Sequence, residues 1–405
     1  MEDSKMDFYE DLSVTREEAL TLLFQNWTVK ADTELIPVQQ ALGRVTARKV
    51  YSRNALPVCR SSQNDGIAVR SADFAHGLPD TSGWVKGKQY VQADTGDDFP
   101  DDYDTVIPVE RIYYNDEGQL LFADGFIFEK GGFIREQSSM VKEGELLAEA
   151  HVRLTPVHLA VLAAGGIYQV EVIKKPRVVF IPTGNELVAA GVKPERGQNV
   201  EANGLMVSAF LQQWGAETFC YPIIKDKPAD LEQTLDLALK TGDIVLINGG
   251  SSKGAEDFNA RLLQKKASFF RHGVKAVPGR PVAFAIIDGK PVINLPGPVI
   301  AAFLAMDWCV SGLVHHYYGL PIPVRPKIKV RLEQPLIKNP DSEMFFRLVL
   351  TRQGDGYTAS NIGFFKSLPY TMLKADALFI APIGVTEYQA GEEVEAELLR
   401  GLEDL

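Results

Sequence analysis

Cysteine is scarce in this chain of 405 residues. The three present, Cys59, Cys220 and Cys309, lie too far apart for a tandem metal motif or a disulfide framework. Of six histidines only His315 and His316 are close, without zinc-motif spacing. Positive charge is also in deficit, 42 Lys+Arg against 53 Asp+Glu, a net −11. That balance excludes the basic footprint of a nucleic-acid partner, so an anionic ligand needs a local pocket. No apolar run reaches the roughly 20 residues of a bilayer-spanning helix. The N-terminal MEDSKMDFYEDLS is acidic where a signal peptide is basic and then apolar. These absences predict a cytoplasmic protein with no membrane or nucleic-acid partner. The 45% hydrophobic and 23% charged residues are those of an ordinary globular chain.

What is present divides by pattern. Thr15-Arg16-Glu17-Glu18 is a capping box before an apolar stripe through Ala19, Leu22, Leu23 and Trp27. Residues 35–50 read as a strand, a helix broken at Gly43, and a return. Residues 51–144 alternate like β structure, and the Asn64-Asp65-Gly66 turn signal lies near the start of that stretch. Thr155-Pro156 opens a helix that Gly165-Gly166 stops. The β-rich lobe 51–144 is thus predicted as an insertion into a helical and linker region, 1–50 with 145–175. From 176 to 320 strands alternate with helices, the pattern of a three-layer α/β domain whose ligands bind at the strand carboxyl ends. A proline-rich linker then leads to short alternating runs over 326–405, predicted as a small β-barrel domain.

The most telling stretch is Asp243–Asn259, DIVLINGGSSKGAEDFN. An apolar run of the kind buried on both faces breaks at Gly249 and Gly250, and Ser251, Ser252, Lys253, Gly254 and Asp257 follow. Alone this is a tight strand-to-helix turn. Equally, such a turn lets backbone N–H groups approach an anion while a nearby carboxylate holds a metal. Other segments share that chemistry: NDGIAVR (64–70), TGDDFPDDYDTVIPVE (95–110), PTGNELV (182–188), GQNVEANG (197–204), HGVKAVPGRPVAF (272–284) and NLPGPV (294–299).

In order and spacing these segments resemble the molybdopterin molybdenumtransferase family, which includes the E domain of gephyrin. The resemblance runs from about residue 15 to the C-terminus. It implies a homodimer of four-domain subunits that inserts molybdate (or tungstate) into adenylylated molybdopterin and releases AMP with Mg²⁺ present. A molybdopterin adenylyltransferase or a molybdoenzyme is the implied protein partner. The matching positions imply Asp65, Glu186, Asp226 and Asp257 as catalytic carboxylates, with Asp226 and Asp257 on the metal. They imply Thr183, Gly184, Gly249, Gly250, Ser252, Gly254, Pro278, Gly279, Arg280, Pro281, Pro296 and Gly297 as the pterin- and phosphate-binding set. Five places depart from the pattern. Arg60 and Met140 stand where the family has acids, Val277 where it has lysine (with Lys275 two residues earlier), and Ala301 where it has serine. The last-domain Gly-Ser-Gly is replaced around Phe365-Lys366-Ser367. These losses leave open a second reading, a non-catalytic paralogue that binds a pterin or nucleotide as carrier, chaperone or sensor.

Overall fold

The computed structural model describes residues 13–249, 258–363, 370–401 and 403, and the chain separates into two compact units. One comprises residues 33–173; the other joins 1–32 to 174–405.

Helix α1 (Arg16–Asn26) starts at the expected capping box: the Thr15 amide donates to Glu18 Oε2 at 2.8 Å, and the Glu18 amide donates to Thr15 Oγ1 at 3.1 Å. Those bonds satisfy amides that a helix start leaves unpaired. Phe24 stacks on His316, so this helix belongs to the second unit rather than to a region with residues 145–175.

In the first unit, β1 (Thr33–Pro37) pairs antiparallel with β5 (Gln169–Ile173), binding entry and exit together. The helix expected within 35–50 is only a single 3-10 turn, Val38–Gln40. The return toward Gly43 instead makes isolated bridges, Val45 with Arg153 and Thr46 with Val172. Between these strands, β2 (Gly66–Val69) lies in the centre of a three-stranded sheet with β3 (Tyr90–Ala93) and β4 (Thr105–Pro108). The single α-helix of this unit, α2 (Pro156–Ala164), begins at Thr155 with Pro156 in its first turn. Gly66 is required where the ladder is tight: a Cβ there would stand 2.1 Å from the Ile107 carbonyl oxygen.

The second unit carries a six-stranded sheet. Its members are β6 (Arg177–Pro182), β7 (Glu217–Cys220), β8 (Ile244–Asn248), β9 (Phe269–His272), β10 (Ala283–Ile287) and β11 (Lys290–Leu295). The order is β7-β6-β8-β11-β10-β9; the first four are parallel, β10 runs against them, and β9, antiparallel to β10, returns to their direction. Pure alternation of strand and helix therefore stops at β9, a strand whose FFRH sequence is too short to announce itself. Helices α3 (Asn203–Trp214), α4 (Pro228–Thr241), α5 (Phe258–Lys266) and α6 (Val299–Tyr318) cover the sheet. On one face α4 and α5 send Leu231, Leu235, Leu239 and Leu263 onto Val179, Ile181, Val245 and Ile247. Strand β8 is buried along its whole length, which explains its unbroken apolar run. Helix α6 is long and apolar enough to cross a membrane, but 78% of its apolar window is buried within the protein, and Asp307 in it pairs with Arg325. It is a core helix.

Beyond the linker, β12 (Lys327–Leu332), β13 (Glu343–Gln353), β14 (Gly356–Asn361), β15 (Ala377–Ala381) and β16 (Glu393–Leu398) close in the order β13-β14-β12-β16-β15 and back to β13. This is the expected small barrel, and closure removes its sheet edges.

Leu235 is fully buried on α4 and Leu237, two residues on, is 46% exposed. Leu235→Ala is expected to cost about 2–5 kcal/mol in urea unfolding, and Leu237→Ala about 0.5 kcal/mol or less. Similar losses for both would contradict the assigned face of α4.

Candidate active site

The sheet switches direction at β6. From β6 the chain passes to β7 on one side and then returns to β8 on the other. Such a point splays the loops that follow the strands and opens a crevice at their carboxyl ends. A cleft of about 430 Å³ lies there, lined by Thr183 and Glu186 after β6, Asn203 at the start of α3, Asn248 and Gly249 at the end of β8, and Gly297 after β11.

Backbone and amide bonds hold these tips in place. The Thr183 amide donates to the Asn248 carbonyl at 2.8 Å, and the Thr183 hydroxyl donates to the same oxygen at 3.2 Å. Asn248 Nδ2 donates to the Pro296 carbonyl at 2.8 Å. Asn203 Nδ2 reaches both Asn248 Oδ1 and the Gly297 carbonyl at 2.9 Å. Asn259, on α5, donates to the Gly249 carbonyl at 2.8 Å. All three asparagines are buried, where an unpaired amide is costly, so the Asn203–Asn248 pair and the Asn259 bond to Gly249 fix the cleft wall.

Gly249 adopts φ +116, and a Cβ on it would lie 2.3 Å from the Thr183 carbonyl oxygen. Two strand tips meet there with room for nothing but hydrogen. Glu186 is exposed at the cleft mouth. Its loop is clasped to the next one: the Asn185 amide donates to Asp226 Oδ2 at 3.1 Å, and the Asp226 amide donates to Asn185 Oδ1 at 3.2 Å. Lys225 Nζ adds bonds to the Asn185 and Leu187 carbonyls at 3.1 and 3.3 Å. Asp226 thus positions the loop that carries Glu186. Glu201 receives the Gly204 amide at 2.8 Å and caps α3.

The expected residues divide accordingly. Thr183, Glu186, Gly249 and Gly297 line the cleft; Gly184 and Pro296 flank it, the latter through its carbonyl. Pro278, Gly279, Arg280 and Pro281 are not among its lining residues, and the Arg280 side chain is exposed. Gly250, Ser252, Gly254 and Asp257 lie outside the described residues, as do Lys253 and the 365–367 departure. Asp65 lies in the other unit. Its Oδ1 accepts the Thr95 amide at 2.7 Å and the Thr95 hydroxyl at 2.8 Å, which hold its pKa below the ordinary aspartate range. Arg60 is consumed locally, bonding the Asp101 and Tyr103 carbonyls at 3.0 and 3.3 Å beside the Phe99 ring. Met140 is 64% exposed.

Sequence reasoning did not single out Asn203, Asn248, Asn259 or Glu201 as functional. Each stands inside a quoted segment, yet a buried asparagine in a strand end has no pattern of its own until the fold pairs it.

Three family descriptions match the chain in succession: the MoeA N-terminal region (domain I and II) over 14–166, a probable molybdopterin binding domain over 179–316, and the MoeA C-terminal region (domain IV) over 329–399. The chain belongs to the MoeA family. It is similar to molybdopterin molybdenumtransferases from Haemophilus influenzae (28% identical, covering 76% of this chain and 78% of that one) and Nostoc (26%, covering 90% and 88%). A solved moeA protein of molybdopterin biosynthesis from a Pyrococcus species superposes with a TM-score of 0.77 at 27% identity, covering 96% of this chain and 100% of that one. The cleft thus falls inside the segment matched by the molybdopterin-binding model.

Gly249→Ala tests the closeness of the two strand tips. Pushing β6 from β8 is expected to lower the melting temperature by several degrees and to weaken AMP binding at least about ten-fold in calorimetry. Unchanged stability and affinity would show that the tips have slack.

Proposed function

We propose that this MoeA-family protein is an enzyme of molybdenum cofactor biosynthesis that inserts molybdate, or tungstate, into adenylylated molybdopterin with release of AMP. The observation that carries this reading is the crevice at the β6 switch point, within the molybdopterin-binding segment, edged by Glu186 and walled by Thr183, Asn248 and Gly249. Catalysis by such a site is positioning plus electrostatics: the amide-paired wall holds the ligand, and Glu186, steadied by the Asn185–Asp226 clasp, orients the group to be transferred. Asp65, kept ionised by Thr95, is proposed as a further carboxylate of the reaction.

Mg²⁺ belongs to the proposal through Asp226 and Asp257. Among the described residues no three His, Cys, Asp or Glu side chains converge, Asp226 receives the Asn185 amide, and Asp257 lies outside the described residues. No step is therefore routed through the ion. A homodimer, a cytoplasmic site of action, a molybdopterin adenylyltransferase or molybdoenzyme partner, and domain bounds at 51–144, 176–320 and 326–405 complete the proposal. The paralogue reading draws on Met140, Val277 and Ala301; Ala301 is 6% exposed in the first turns of α6, where it offers no hydroxyl.

Purified protein given adenylylated molybdopterin and molybdate is expected to release AMP, and Glu186→Gln to slow that release by about a hundred-fold or more. Tight binding without AMP release would favour the carrier reading; absence of both would overturn the function.

A further inference from the structure

Asn203 is 5% exposed, lines the cleft, and has a buried Oδ1 with no hydrogen-bond partner among the described residues. Its orientation is fixed by groups that only accept. The Pro296 carbonyl forces Asn248 to present Nδ2 there, leaving Asn248 Oδ1 toward Asn203. The Gly297 carbonyl and Asn248 Oδ1 then both require Asn203 Nδ2. The remaining atom, Oδ1, is an acceptor at the cleft wall, and an acceptor buried without a donor is costly.

We propose that Asn203 is a specificity-determining residue whose Oδ1 accepts an N–H from the heterocycle edge of the bound substrate. The inference rests on the reading of this cleft as a site for an adenylylated pterin. An oxyanion offers only acceptors and cannot satisfy Oδ1, and the Glu186 and Glu201 carboxylates that line the same cleft disfavour one there. A ring N–H or an exocyclic amino group supplies what Oδ1 lacks. Both the pterin ring and the adenine of the adenylyl group carry such an edge, so the test must tell them apart.

Binding of two ligand pairs would be measured by calorimetry on the full chain: 6-carboxypterin with its 3-methyl derivative, and AMP with N6,N6-dimethyl-AMP. Wild type is expected to bind the unmethylated member of one pair at least about ten-fold tighter, since methylation leaves Oδ1 unpaired. Asn203→Leu, close in size, also removes the donors to Asn248 Oδ1 and the Gly297 carbonyl, so the readout is the ratio within a pair: the two members should bind within about three-fold of one another, whatever loss they share. Asn203→Ala, whose space water fills, provides the same comparison should the leucine variant not fold. The pair that collapses identifies the ring. Discrimination that survives both substitutions, or is absent from wild type in both pairs, overturns the role of Asn203 while the cleft stands. Failure of wild type to bind any of the four overturns the cleft reading with it.

Discussion

Asn248 ends the central strand β8 by sending its side chain across to the Pro296 carbonyl, while its own carbonyl accepts both the amide and the hydroxyl of Thr183. Three strand ends are thereby bound to one residue. The cost of burying an asparagine is offset only when every amide proton finds an acceptor, and both of its protons do: Nδ2 reaches the Leu295 and Pro296 carbonyls. Asn203 and Asn259 extend the same pairing to the first turns of α3 and α5. An apolar residue at 248 would leave the Pro296 carbonyl without its donor and Asn203 Nδ2 with the Gly297 carbonyl alone, loosening the wall of the crevice.

The architecture was largely legible. The capping box at Thr15, Pro156 at the start of α2 and the buried run of β8 are local signals, and local physics decides them. The α/β domain and the all-β character of the C-terminal domain followed from periodicity. Two misreadings have a common cause. Residues 35–50 carry enough helix formers to suggest a helix, but pairing β1 with β5 and bridging Val45 and Thr46 to residues 153 and 172 gives that backbone better partners. Strand β9 exists because β10 offers it an edge, which no window of four residues reveals.

Of the expected site residues Thr183, Glu186, Gly249 and Gly297 line the cleft, whereas its buried asparagines had no signal in the sequence. Gly249 is explained by the Thr183 backbone beside it, and Glu186, a residue the family resemblance implied, stands at the mouth of the cleft. Asp226 turns out to clasp a loop through Asn185, so its role near the cleft is positional in what the structure describes. Arg60, which stands where the family has an acid, is engaged locally: two carbonyls, Asp101 and the Phe99 ring surround its guanidinium.

The central claim is that ligand binding is organised by the paired tips of β6, β8 and β11. Amide hydrogen exchange on the full chain, with and without AMP and 6-carboxypterin, tests it most directly. Ligand is expected to slow exchange in residues 183–188, 199–205 and 295–299, with the barrel strands β12 to β16 unchanged. Protection confined to the barrel, or to the Pro278–Pro281 turn with none at those three segments, would contradict it.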